Sequence, residues 1–263
     1  MNFARASFML AGFLALQGTS FSQETPQFIR MQCVKVIQGK GAEFETYLKE
    51  NRKLAKVRID QGSGTFSIVS RAVYPSGREA RCDYHFVAGF NGFPPEASTA
   101  QQTEADMKKA GITLTRAQYN AKQSETSYLV EQQLWRSRGS VGNVPMGGYV
   151  RINYEKIKPG MAADWLKWEL EWKDLAESAA KDIPGTSWGL YTLSMPGGSD
   201  YPVKGMTVDG FPSWEAVGKG LPAPTIWKKV HPDTDYAQHM GKLSGLSDRS
   251  SVEVFKVVDI IRK

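Results

Sequence analysis

Strand-like and helix-like stretches alternate along this chain in an order that occurs twice. Phe28–Val36 is a strand candidate, and Lys40-Gly41 opens a helix to about Arg58, with Phe44, Tyr47, Leu48 and Leu54 on a common face. Thr65–Tyr74 and Arg81–Ala88 form two strands around YPSGRE, a turn supplied with Pro and Gly. Helical stretches near Ala97–Ala110 and Thr115–Lys122 precede a last strand at Thr126–Arg136. The second series places a strand at Tyr149–Ile157 and a helix from about Met161 to Lys181. A hairpin of Ser187–Leu193 and Val203–Val208 follows around MPGGSD, then further helices and a closing strand at Ser251–Ile261.

The two series align at an offset of 121 residues, through Gly64/Gly185, Thr65/Thr186, Pro75/Pro196, Gly77/Gly198, Gly89/Gly210 and Phe90/Phe211. Phe44 and Tyr47 fall on Trp165 and Trp168. The matched Gly and Pro residues sit where each copy needs a turn, which argues for an internal repeat. The expected organisation is a first repeat over 23–136, a joint over 137–148 (SRGSVGNVPMGG) and a second repeat over 149–263. A βαββαβ unit folds most readily as a four-stranded antiparallel sheet with both helices on one face, the ferredoxin-like arrangement. Its other sheet face must be covered, and two tandem copies supply each other's cover.

The segment before the repeats reads as an address. MNFARAS carries one positive charge, FMLAGFLALQG is apolar, and TSFSQ supplies small residues, so residues 1–22 are expected to be a secretory signal cleaved after Ser22. The apolar core of about 11 residues is short of the ~20 a membrane-spanning helix takes. The expected location is the periplasm or outside the cell, with no membrane span after cleavage. Composition adds bounds: 41% hydrophobic and 23% charged residues fit a chain with a sizeable core. The net charge of +6 is not gathered into a basic block and does not point to nucleic acid.

The runs YVRINYEKIKPGMAADWLKWELEWKDLAES, GTSWGLYTLSMPGG and VDGFPSWEAV resemble the dimeric α+β barrel superfamily, in particular its NIPSNAP-like and antibiotic-biosynthesis-monooxygenase-like branches. The shared features are a strand ending in Lys-Pro-Gly, a long aromatic helix, a Gly-Trp-x-Leu-Tyr strand and a Phe-x-x-Trp after the third strand. The resemblance covers 149–217 well and 28–93 less well, where Gln38-Gly39 replaces Lys-Pro-Gly and Phe93 replaces Trp214. It implies an α+β fold of two tandem ferredoxin-like units closing as an intramolecular dimeric α+β barrel. A chain of this kind carries its own dimer partner and leaves room for a homo-oligomer of pseudo-dimers. The superfamily holds cofactor-free oxygenases, isomerases, haem enzymes and binding modules, so activity does not follow from fold.

Several residues could carry chemistry. Strict alternation in RCDYHFVA puts Arg81, Asp83 and His85 on one face and Cys82, Tyr84 and Phe86 on the other. Inside a barrel, His85 beside Asp83 could act as an oriented base, with Arg81 holding an anionic substrate; the competing reading is a hydrated salt-bridge ladder. Arg151, Asn153 and Glu155 alternate similarly and could join the same interior network. Trp165, Trp168 and Trp172 form an aromatic stripe on one helix, which either covers the sheet or, with Trp188, lines a hydrophobic ligand pocket. Asp164, Glu169 and Glu171, among Lys167 and Lys173, read as a solvated face. His231 and His239 are separated by a break at Pro232, so no metal site is expected from them. A chlorite-dismutase-like haem protein would take one of them as axial ligand. Cys33 and Cys82, on neighbouring strands, are the candidates for a disulfide, with two buried thiols as the alternative.

The leading expectation is thus an exported α+β barrel protein that binds a small hydrophobic or aromatic molecule without a cofactor. The alternatives are a cofactor-independent oxygenase or isomerase using His85 and Asp83, and a haem enzyme. GxSxG, HExxH, CxxC, P-loop and dinucleotide fingerprints are absent from the sequence, which removes the main support for hydrolase, zincin, redox and nucleotide readings.

Overall fold

The structure is a computed structural model and describes residues 26–75, 77–196 and 201–263; the expected signal segment lies outside them. Eight antiparallel strands close into a barrel. They are β1 (Phe28–Val36), β2 (Phe66–Tyr74), β3 (Tyr84–Phe90), β4 (Ser127–Val141), β5 (Tyr149–Ile157), β6 (Ser187–Met195), β7 (Gly205–Phe211) and β8 (Ser247–Arg262). Seven α-helices are described: α1 (Gly41–Asp60), α2 (Ala100–Lys109), α3 (Arg116–Thr126), α4 (Ala162–Asp182), α5 (Trp214–Lys219), α6 (Ala223–Val230) and α7 (Tyr236–Leu246). Among the described residues no helix is long and apolar enough to cross a membrane.

Around the barrel the order is β1-β3-β2-β8-β5-β7-β6-β4. The half containing β1–β4 thus runs β4-β1-β3-β2, and the other runs β8-β5-β7-β6. The halves meet at two seams, and the two longest strands make them. β4 pairs with β1 through Arg136 and then, from Leu134 to Val141, with β6. β8 pairs with β5 through Lys256 and from Val254 onward with β2. The stretch Ser137–Val141, expected as the start of a joint, is therefore strand. Gly and Ser give it a turn-like composition, but the free edge of β6 supplies hydrogen-bonding partners, and closure leaves no edge strand exposed among the described residues.

Alternation along each strand sorts side chains between lumen and helix layer. Ile29, Met31, Cys33, Trp135, Ile152, Tyr154, Met206 and Phe255 form the buried cluster of the lumen. On the outer face, Val34, Val69 and Tyr84 pack under α1, α2 and α3 through Phe44, Tyr47, Leu48, Met107 and Tyr119. In the other half, Trp165 and Ala176 of α4 lie on Trp188 and Leu190 of β6, while Leu175 and Ala179 pack on Ile226 and Trp227 of α6. Each large side chain so buried contributes roughly 1.5–3 kcal/mol of transfer free energy. α3 begins with a capping box, Thr115 Oγ1 accepting from the Gln118 amide at 3.2 Å and Gln118 Oε1 from the Thr115 amide at 2.9 Å.

Candidate ligand site in the barrel lumen

A cavity of about 390 Å³ occupies one end of the lumen, reaching the surface beside the exposed Asn143 and Arg262. Inward-facing aliphatic and thioether side chains make most of its wall, including Ile29, Met31, Ile68, Val87, Val150, Ile152, Met206 and Val208. His85, Ser70 and Tyr191 bring polar atoms to this apolar surface. Burial pushes the Tyr191 phenol up to about 12, so its hydroxyl stays protonated near neutrality and can donate.

His85 is fully buried and lies on the Phe255 ring, centroids 4.0 Å apart. Burial first, and the Arg81 charge second, push its imidazole down to about 3, so it is neutral. Its Nε2 is 3.1 Å from Cys82 Sγ, and its Nδ1 has no hydrogen-bond partner among the described residues. Cys82 is joined to Cys33 in a disulfide, with Cα atoms 5.2 Å apart.

Arg81, Asp83 and His85 do not assemble as the alternation in RCDYHFVA suggested. β3 begins only at Tyr84, and the bend before it rotates Cys82 to the same side as His85. Asp83 turns to the end of β1, where Oδ2 accepts from the Val36 amide at 2.8 Å and Oδ1 meets Lys35 Nζ at 3.3 Å. Arg81 closes the far end of the lumen: it holds Glu131 at 2.7 Å, the Tyr154 hydroxyl at 3.1 Å and Glu253 at 3.4 Å. Among the described residues His85 therefore has no carboxylate to orient it.

Arg151, Asn153 and Glu155 also miss the interior network. The alternation of β5 sends Val150, Ile152 and Tyr154 inward, so these three face the helix layer instead. Arg151 pairs with Asp209 at 2.9 Å, Asn153 donates to Thr207 Oγ1 at 3.0 Å, and Glu155 accepts from Ser247 Oγ at 2.9 Å and Arg249 Nε at 3.1 Å. Against them packs Glu169 of α4, a residue expected on a solvated face. It is buried, and burial, followed by the Glu155 and Asp209 charges, pushes its carboxyl up to about 8. The signal was in the spacing: Glu169 is four residues from Trp165 and three from Trp172, on the stripe itself.

That stripe shuts the space between α4 and the sheet. Trp165 is fully buried, Trp168 stacks on His239 with centroids 4.8 Å apart and planes 8° from parallel, and Trp172 meets Trp227 at 5.6 Å. Trp188 packs with Trp165 in the same layer and also touches the wall of the lumen cavity. The histidines considered for haem do not fit it. His231 Nε2 lies 3.2 Å from the Glu171 carbonyl, and His239 Nδ1 lies 3.2 Å from the Glu171 carboxylate. His239 Nε2 has no partner among the described residues, but Trp168 and Trp227 cover the ring faces, at 4.8 and 4.1 Å, where a macrocycle would need open space.

No protein-family model matches the chain, and no curated protein matches it. Solved structures do. A provisionally assigned monooxygenase from Fusobacterium nucleatum subsp. nucleatum superimposes with a TM-score of 0.55 at 8% identity, over 91% of this chain and 96% of that one. Another, from Lactobacillus acidophilus, gives 0.52 at 12% identity, over 91% and 97%. At such identities the likeness is one of fold, the α+β barrel that the residue pattern resembles.

Proposed function

We propose that this chain binds a small, neutral, largely apolar molecule of aromatic size in the barrel lumen. We read it as two tandem ferredoxin-like units, 23–136 and 149–263, that form the barrel within one exported chain. The cavity beside His85 carries the reading: about 390 Å³ is within the range of small-molecule sites, and apolar walls with a few placed polar atoms are their usual make-up. A neutral imidazole and a protonated phenol can hydrogen-bond a hydroxyl or carbonyl, whereas an ionised ligand in the interior would lose its hydration beyond the reach of the Arg262 guanidinium, which stands exposed at the mouth. The tandem reading is supported by the common strand order of the two halves and by matched packing at an offset of 121 residues. A His85 with suppressed basicity and no carboxylate partner among the described residues favours binding over proton abstraction.

The test is titration with 1-naphthol, followed by ligand fluorescence and by thermal melting. Saturable binding that raises Tm in the wild type, and that Val208→Phe abolishes by filling the lumen, is the expected result. Equal binding by wild type and Val208→Phe, or no Tm rise across a panel of neutral bicyclic aromatics, would overturn the proposal.

A further inference from the structure

We infer that Cys33, Cys82 and His85, once their disulfide is reduced, form a binding site for one Cu(I) ion in the wall of the lumen. The two sulfurs and an imidazole nitrogen lie within 4.8 Å of one another, and all three residues are buried. Two elements bring them together. Cys33 of β1 and His85 of β3 are direct partners in the strand register, both facing inward, and the bend before β3 swings Cys82 in beside them. Donors about 2.0–2.3 Å from a metal lie roughly 3.5–4 Å from each other, a spacing this cluster reaches when the two sulfurs separate.

The donor set selects the metal. Two thiolates and an imidazole are soft to intermediate ligands, and no carboxylate belongs to the cluster among the described residues. Zinc takes a three-residue set of this kind only with a water as fourth ligand, which the apolar side chains packed around the two cysteines do not favour. Met31 and Met206 line the cavity that reaches His85, giving a thioether-bearing route from the surface.

The chemistry balances with a dithiol reductant. Its two thiols give two electrons and two protons to the Cys33–Cys82 bond, leaving two cysteine thiols and the reductant's own disulfide. Cu(I) then displaces both thiol protons to solvent as it binds. The oxidised protein has no such site, so its use of the lumen for an organic ligand is a separate property, tested separately.

The experiment uses the full chain, reduced anaerobically with dithiothreitol, freed of reductant and titrated into the Cu(I) complex of bicinchoninate. The reduced wild type should withdraw one equivalent of copper, and the oxidised protein none. Cys82→Ser should abolish the transfer, and His85→Ala should weaken it at least tenfold. X-ray absorption of the copper-loaded wild type, which needs no substitution, should show two sulfur scatterers and one nitrogen. Retention of copper by bicinchoninate, equal transfer by reduced and oxidised protein, or a copper shell without sulfur would overturn the proposal. Binding of 1-naphthol by the oxidised protein tests the lumen reading whatever the copper result.

Discussion

Trp165 of α4 lies flat enough on Gly205 of β7 that a Cβ there would sit 2.5 Å from Cζ2 and Cη2 of the indole. The positions 121 residues earlier hold Phe44 and Tyr84, whose rings meet at 4.9 Å. A larger helix residue is matched with a missing strand side chain in one half, and two medium rings share the same place in the other. Gly205→Ala should therefore cost about 1–3 kcal/mol through overpacking. Trp165→Phe in the same chain should recover part of the loss, because it makes room for the added methyl. Urea unfolding of the two single variants and the double variant measures both effects, and a neutral Gly205→Ala would show that the indole can move aside.

Glu169 has a pH signature of its own. Its carboxyl titrates at about 8 in the folded protein against 4.5 ordinarily, burial being the main cause and the Glu155 and Asp209 charges adding to it. Between those values the unfolded chain releases this proton and the folded one keeps it, so stability falls as pH rises from about 4.5 to about 8 and is level above. Each tenfold change in proton affinity is about 1.4 kcal/mol, which sets a ceiling of about 5 kcal/mol. His85 works in the opposite sense, since its lowered value makes stability rise between about 3 and 6.5. The difference between Glu169→Gln and wild type cancels that contribution. We expect the variant to match wild type near pH 4 and to exceed it progressively up to pH 8, in unfolding curves taken at each pH. A constant difference would mean that Glu169 is already ionised in the fold.

Tyr191 tests how the lumen holds a polar substituent. Its side chain can hydrogen-bond only through the hydroxyl, so Tyr191→Phe keeps the ring and removes the donor. A net hydrogen bond is worth about 0.5–1.5 kcal/mol, so affinity for 1-naphthol should fall roughly 2- to 12-fold while naphthalene binding stays unchanged. Parallel titration of the two ligands separates this from a general loosening of the pocket, which would weaken both alike.

Much of the barrel was legible in the order of its elements, and two strands, β1 and β5, fall at the boundaries that local pattern indicates. What local pattern could not show depends on residues far away in sequence. Ser137–Val141 is strand because β6 lies beside it, and its Gly and Ser content gives no hint of that partner. Alternation placed Asp83 with His85, yet the regular pleat that alternation assumes starts only at Tyr84. Cys82 and His85 consequently meet, and the buried chemistry differs from the His–Asp pair that spacing suggested. Glu169 was legible in position and hidden by residue type: a charged residue on a helix is solvated far more often than buried.

Arg81 holds the closed end of the lumen, and the network around it should be visibly coupled. Its guanidinium meets Glu131, Glu253 and the Tyr154 hydroxyl, while the second oxygen of Glu253 has no partner among the described residues. Burial already pushes the Glu253 carboxyl up, with Arg81 acting against it, so Arg81→Met should leave a buried acid that must take a proton or stand unpaired. Because Arg81 is 36% exposed and Glu253 only 8%, the loss should be smaller than for a fully buried pair, about 1–3 kcal/mol. Glu253→Met on top of Arg81→Met should restore most of it, since two apolar side chains can fill the end of the barrel without a stranded charge. The double-mutant cycle from urea unfolding then gives a coupling energy of about 1 kcal/mol or more. Additivity within about 0.5 kcal/mol would mean that the two side chains are neighbours without mutual support, and that closure of the lumen rests on Tyr154 and Trp135 instead.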